Sequence, residues 1–196
     1  MDLKLFDSLM KQGLPSQHPD EWRAFLEICE AYLENRKIKN PIIVELGLFD
    51  GEQKKFYEQL LGAEYIGVSI NSRRCIPDIP GSTHDPRTLE ALKDKLKGRL
   101  INILFIDAAH GYEDVKKDFE EYSPLCSDMV ILHDIESRRY DGPTRRRAEV
   151  WKFWDELRLG AYKGMKEYRD FLFLSIYQHM PYRRHIQMGI GIIIKR

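Results

Sequence analysis

The chain has 196 residues, 43% of them hydrophobic and 32% charged, a length that fits one domain and a balance that excludes a disordered polypeptide. Lys+Arg and Asp+Glu each number 31, so the overall charge gives no reason to expect nucleic acid or a membrane surface as a partner. Three widely spaced cysteines, Cys29, Cys75 and Cys126, exclude a disulfide framework and fit a reducing, cytoplasmic setting.

The opening MDLKLFDSLMKQ carries acids early and lacks a long apolar core, so it does not read as a signal peptide. Residues 2–12 place Leu3, Phe6, Leu9 and Met10 on one helical stripe. After a Gly13-Leu14-Pro15 break, residues 20–36 gather Trp22, Phe25, Leu26, Ile28, Cys29, Tyr32 and Leu33 on a second helical face. Asn40-Pro41 then stops the helix. Ile42 to Leu46 is a β-branched run of the kind buried on both faces of a sheet. A helix is predicted over 52–62, a strand over Tyr65 to Ile70, a Pro/Gly-rich loop over Ile76 to Gly81 and a helix over 86–97. Ile101 to Ile106 is the third clear strand, followed by a helix around 112–122. Met129 to Leu132 is the fourth, followed by a loop and a helix around 146–158. Phe171 to Ile176 and Gly189 to Ile194 close the chain as two strands joined by Tyr177 to Met188, with no helical pattern between them. No apolar run approaches the roughly 20 residues of a membrane span.

Strands alternating with helices predict a doubly wound α/β domain with a mostly parallel sheet and an antiparallel closing pair. The organisation expected is one domain, with N-terminal helices over 1–38 and a core over 40–196.

In such sheets ligands bind beyond the carboxyl ends of the strands. The first strand runs into Glu45-Leu46-Gly47-Leu48-Phe49-Asp50-Gly51, where two glycines permit close backbone approach to a ligand or simply a tight turn. The third clear strand ends in Asp107-Ala108-Ala109-His110. An acid there either caps the next helix or works on a ligand, since an unpaired buried carboxylate is costly. The fourth ends in His133-Asp134, a hydrogen-bonded turn or a functional pair. Asp107, His133 and Asp134 converge on one sheet edge, and two carboxylates with an imidazole suit a divalent cation or acid–base work.

These segments also carry a family likeness. The succession VELGLFDG, YIGVSI, GSTHDPRTLEAL, ILFIDAAHGYEDVKKDFEEYSPL and MVILHDI resembles the class I S-adenosylmethionine-dependent methyltransferases, in particular the small-molecule O-methyltransferases grouped with the cephalosporin-hydroxylase-like and rhamnosyl O-methyltransferase proteins. The likeness covers roughly residues 40–196, and its specific part is FID-x-x-H-x-Y-x-x-V-x-x-D followed by ILHD. It implies a Rossmann-like, mostly parallel seven-stranded sheet with an antiparallel final strand. It also implies S-adenosylmethionine as cofactor and, as in metal-dependent members, Mg²⁺. Carried over by position, the cofactor-binding residues are Glu45, Gly47, Phe49, Gly51, Ser69, Ser82 and Asp107. The metal ligands are Asp107, His133 and Asp134; the catalytic residues are Asp107 and His110, the latter as general base or as a packed, helix-capping histidine. Two departures stand out. Ser69 and the Gly81-Ser82-Thr83 segment occupy places where the family usually carries acids toward the ribose and the adenine side, with Asn71 or Asp50 available as substitutes.

Arg138 and Arg139 lie in the loop after His133-Asp134 and are candidate substrate contacts for an acidic acceptor, or part of a solvated helix start; Arg145 to Arg147 and Arg183-Arg184-His185 are the other basic groups. The expected partner is a small-molecule hydroxyl acceptor, acidic or sugar-containing, with assembly into a homo-oligomer left open. The alternative function is a weakly catalytic or non-catalytic relative binding another ligand in the same cleft. A NAD-type enzyme is disfavoured by the lack of Gly-x-Gly-x-x-Gly after the first strand.

Overall fold

Asp2 opens the first helix by accepting hydrogen bonds from the Lys4 and Leu5 amides at 3.0 and 3.1 Å, and α1 spans Leu3–Gln12. Proline at the first helical position, with Asp20 and Glu21 in the first turn, starts α2, Pro19–Asn35. The computed structural model describes residues 1–13, 15, 17–70, 75–137, 139, 148–163, 170–177 and 188–195. No helix among them is long and apolar enough to cross a membrane.

Strand β1, Ile42–Leu46, is buried along its whole length, as a β-branched run at the centre of a parallel sheet should be. It pairs in parallel with β2, Glu64–Ser69, on one side and with β4, Ile101–Ile106, on the other. Beyond them lie β3, Ile79–Pro80, and β5, Cys126–His133, also parallel. Strand β7, Ile190–Ile194, runs antiparallel between β5 and β6, Leu172–Ile176. Among the described residues the sheet has seven strands, in the order β3-β2-β1-β4-β5-β7-β6. Helices α3 (Lys54–Leu60), α4 (Pro86–Leu96), α5 (Tyr112–Tyr122) and α6 (Val150–Arg158) complete a Rossmann-like, doubly wound α/β fold.

Side-chain alternation divides the core into two layers. Val44, Leu46, Leu104, Val130 and Leu132 face Leu92 of α4, Phe119 of α5 and Phe153 of α6. Ile43, Ile103, Phe105, Met129 and Ile131 face Leu9 of α1, Trp22 and Phe25 of α2 and Phe56 of α3. Trp22 is fully buried, with edge-on contacts to Phe56, Tyr57 and Phe105. The N-terminal helices therefore form one face of the sheet sandwich and share its core.

Two differences from the sequence reading bear on the site. The segment expected as a loop contains β3: Ile79 is buried opposite Val68, and Pro80, which cannot donate to a ladder, sits on the edge strand. Strand β5 is longer than Met129 to Leu132. Asp128 breaks the apolar run, yet it stays in the strand because Tyr32 Oη and Asn102 Nδ2 each donate to its carboxylate at 3.0 Å. At the other end β5 takes in His133, which fixes the direction of that side chain.

Candidate active site

From the edge strand β3 the chain crosses back over the sheet to β4 on the other side of β1, so the strand order reverses where β1 and β4 end, the usual place for a ligand in this architecture. The two loops there touch backbone to backbone. The Asp107 amide donates to the Leu46 carbonyl at 2.8 Å, and the Gly47 amide to the Val68 carbonyl at 2.8 Å. Gly47 has φ +87°, and a Cβ added to it would lie 2.3 Å from the Asp107 carbonyl oxygen and 2.5 Å from Ala108 Cα. Glycine is required there by conformation and by space. Above this junction opens a cleft of about 750 Å³ with Gly47, Leu48 and Phe49 as its floor. One wall carries Ser69, Ser82 and His84, and the other Asp107, His110, His133 and Asp134.

Asp107, His110 and Asp134 bring one ligand atom each within 4.8 Å of one another. His110 Nδ1 lies 3.2 Å from Asp134 Oδ2. Behind them His133 is buried, its Nδ1 3.0 Å from Asp107 Oδ1 and 3.7 Å from Asp134 Oδ1. Burial opposes a charge on this imidazole, but Asp107 and Asp134 outweigh burial and push its pKa up to about 9. At neutral pH His133 thus carries a proton on Nδ1 and donates it toward Asp107. Burial raises the Asp134 carboxyl and Asp107 adds to the rise, while His133 opposes it. Asp134 sits at φ +63° and Phe49 at φ +48°, left-handed conformations that side-chain residues occupy at a cost and that concentrate at functional sites.

The three-donor set differs from the expected Asp107, His133 and Asp134. His110 joins the two carboxylates, whereas His133 stands behind them as their buried counter-charge. Alternation explains the change: His133 shares the parity of Met129 and Ile131, the face covered by α2, and its ring stacks on Phe105 at 6.0 Å.

Glu45 is corrected for the same reason. It shares the parity of Ile43, so it points into the α1–α3 layer and does not line the cleft. Its carboxyl is fully buried and accepts from Tyr65 Oη at 2.6 Å. The Gln53 amide also donates to it, and in turn accepts from Gln17 Nε2 at 2.7 Å. Burial holds the Glu45 carboxyl well above the usual carboxylate range; Asp107 adds to this, while the Tyr65 hydrogen bond and His133 oppose it. Gly51, at φ +76°, makes the turn after the cleft loop and packs by Cys75 without lining the cleft. Asp50 accepts from the Glu52 amide at 3.2 Å in that turn.

Gly47, Phe49, Ser69, Ser82 and Asp107 of the expected cofactor set do line the cleft, Phe49 with 60% of its surface exposed. Of the two expected substrate arginines, Arg139 is turned away from it: the guanidinium pairs with Asp155 Oδ2 at 2.8 Å and Glu136 Oε1 at 3.1 Å and lies over Trp151. Arg138, Asn71, Arg145 to Arg147 and Arg183-Arg184-His185 lie outside the described residues.

Two cleft residues escaped the sequence reading, His84 after β3 and Asp114 on α5. A signal for them existed. The buried stripe of α5 is Val115, Asp118, Phe119 and Tyr122, and an aspartate in an apolar stripe calls for a partner, which is His84.

No family model matches the chain. A stretch of 73 residues, 36% of the chain, is 33% identical to y4gI, an uncharacterized protein of Sinorhizobium fredii, and spans only 7% of that protein's length. In three dimensions the chain is similar to the O-methyltransferase TomG from Streptomyces achromogenes, involved in tomaymycin synthesis and solved with SAM. The TM-score is 0.62 at 12% identity, covering 98% of this chain and 88% of that one. The chain has the methyltransferase fold. MycE, a methyltransferase of the mycinamycin biosynthetic pathway solved with Mg, SAH and mycinamycin VI, matches with a TM-score of 0.54 at 10% identity, over 84% of this chain and 47% of that one.

Proposed function

We propose that this protein is an S-adenosylmethionine-dependent O-methyltransferase acting on a hydroxyl of a small-molecule acceptor, with a divalent cation such as Mg²⁺ at the acid cluster. One observation carries the reading: the glycine-floored loop after β1 and the Asp107, His110, Asp134 cluster open onto the same cleft at the switch point of the sheet. The residues fit both groups. The cleft volume and the Gly47 floor suit a nucleoside-sized ligand, and two carboxylates with an imidazole suit a small divalent cation. When bound, these groups supply a sulfonium methyl and Lewis-acid polarisation of the acceptor oxygen.

The chain's own residues do the rest. His133, charged and buried, holds Asp107 through Oδ1 and leaves Oδ2 for the cleft. His110 lies against Asp134 and is 44% exposed, so it can serve as the third donor to a cation or, with no cation bound, as the group that takes the acceptor proton. That exposure favours a second, metal-free reading in which His110 alone is the base. Leu48, Phe49, Ile70 and Met188 add apolar surface to the cleft against which a ligand can pack. Arg139, committed to Asp155 and Glu136, adds nothing to the case for an acidic acceptor. We take the protein as cytoplasmic, in keeping with three cysteines that are not cross-linked to one another.

Calorimetric titration with S-adenosylhomocysteine, with and without Mn²⁺, tests the reading. Saturable binding is expected, with Mn²⁺ affinity lost in Asp134→Asn. No heat at millimolar nucleoside overturns the function; nucleoside binding with no Mn²⁺ site overturns the metal alone.

A further inference from the structure

The wall of the cleft opposite the acid cluster carries a second His–Asp assembly, and the reaction outlined above does not use it. His84 follows β3 and lines the cleft with 29% of its side chain exposed. Both ring nitrogens face α5. Nε2 lies 3.4 Å from Asp118 Oδ1 and 3.4 Å from the Asp114 carbonyl oxygen, and Nδ1 lies 3.8 Å from Asp114 Oδ1. With both nitrogens on the α5 side, the carbon side of the imidazole is left for the cleft that His84 lines. A ring polarised by two acids is a good stacking partner for a planar, electron-rich heterocycle.

Asp118 is the unusual member. It sits on the apolar stripe of α5 with its side chain fully buried, and neither carboxylate oxygen makes a hydrogen bond of ordinary geometry. A buried carboxylate left this way costs stability unless something else is gained. The remaining charged groups around the pair are Asp85 from the same loop, with Asp114, Lys117 and Glu121 from α5. Lys117 Nζ donates to the His84 carbonyl at 3.5 Å, and Tyr122 Oη donates to the Thr83 carbonyl at 2.9 Å, so the loop backbone is tied to α5 as well.

We propose that His84 is a ligand-contact residue that stacks on the purine of a nucleoside ligand, and that buried Asp118 is the positioning residue that orients it. The purine identity rests on the function proposed above; the His84–Asp118 arrangement does not. Burial pushes the Asp118 carboxyl up to about 6, while the Thr83 side chain and His84 favour its ionised form and Glu121 and Asp114 oppose it. Above that pH Asp118 is charged and holds the imidazole. As the pH falls through about 6 the carboxyl takes up a proton, its pull on His84 is lost, and ligand affinity drops.

The test is calorimetric titration of S-adenosylhomocysteine, and of adenosine alone, into the full chain between pH 5 and 8. The wild type should bind roughly tenfold more weakly at pH 5 than at pH 8, a difference of about 1.4 kcal/mol. Asp118→Asn should bind roughly tenfold more weakly than wild type at pH 8 and lose the pH dependence, with an unchanged circular dichroism spectrum. Should that variant fail to fold, His84→Ala, altered at a partly exposed site, decides: it too should lose affinity for both ligands, and equally for adenosine. Wild-type-like affinity and pH profile in His84→Ala overturn this inference while leaving the methyltransferase reading in place. Failure of wild type to bind either ligand at any pH overturns both.

Discussion

The two walls of the cleft are built alike and work differently. Each pairs imidazole with carboxylate, but Asp107 and Asp134 stand at strand ends with oxygens gathered around one point, while Asp118 is sunk in a helix and reaches the cleft only through His84. At the first wall the buried partner is the histidine, charged and holding an acid outward. At the second it is the acid, holding a histidine outward. A buried cation behind half-buried carboxylates makes a site for a metal or a proton. A buried anion behind a half-buried imidazole makes, on our proposal, a contact surface for a neutral ring. Which partner is buried decides what the cleft sees.

The largest expected effect separates the walls. Asp107→Asn keeps the shape of the first wall and removes its charge, so turnover should fall by about 10²- to 10⁴-fold, the range of a lost acid–base or metal-holding group. Affinity for S-adenosylhomocysteine, measured by calorimetry, should change by less than about threefold, because the contacts at the second wall are intact. A parallel loss of both would erase the distinction between the walls.

Most of the first wall was legible in the sequence, and the second was not. β-branched runs that stop at Asp107 and at His133-Asp134 mark strand ends, and strand ends in a doubly wound sheet meet along one edge. What misled was parity. Reading β5 as ending at Leu132 left His133 in a loop, free to ligate; one more residue of strand turns it under α2. Glu45, placed in the first strand but read with the loop after it as a cofactor contact, faces Tyr65 by the same rule. β3 was hidden because two residues carry no period, and the contact between His84 and Asp118 spans residues that only the fold brings together. Asp118 nevertheless left a trace, as the polar member of an apolar helical stripe.

An intermediate effect tests the floor that joins the walls. Gly47→Ala forces a Cβ into the Asp107 carbonyl at a backbone angle alanine rarely adopts, and should destabilise the protein by about 2–3 kcal/mol, a fall in melting temperature of roughly 5–10 °C. Gly98 has a similar φ of +81° with nothing within 4 Å of its missing Cβ. Gly98→Ala therefore measures the backbone cost alone, expected at about 1 kcal/mol. If the two variants melt together, the close approach of the β1 and β4 loops is not what demands glycine at position 47.

The smallest effect falls on the second wall, where Ser69 stands at the end of β2. Its carbonyl is held by the Gly81 amide at 2.9 Å, so the strand end should keep its place when the side chain is changed. A serine hydroxyl facing a ribose makes a neutral hydrogen bond, whereas a carboxylate there makes a charge-assisted one, a difference of about 1 kcal/mol. Ser69→Asp should accordingly tighten adenosine binding by about fivefold in calorimetry. The gain should vanish with 2′,3′-dideoxyadenosine, which retains the base and lacks the hydroxyls. Because His84 is assigned to the base and Ser69 to the sugar, His84→Ala should weaken both nucleosides alike, and Ser69→Asp should discriminate between them. An equal gain for both nucleosides would mean that position 69 senses charge in the cleft at large, and the division of labour along the second wall would have to be redrawn.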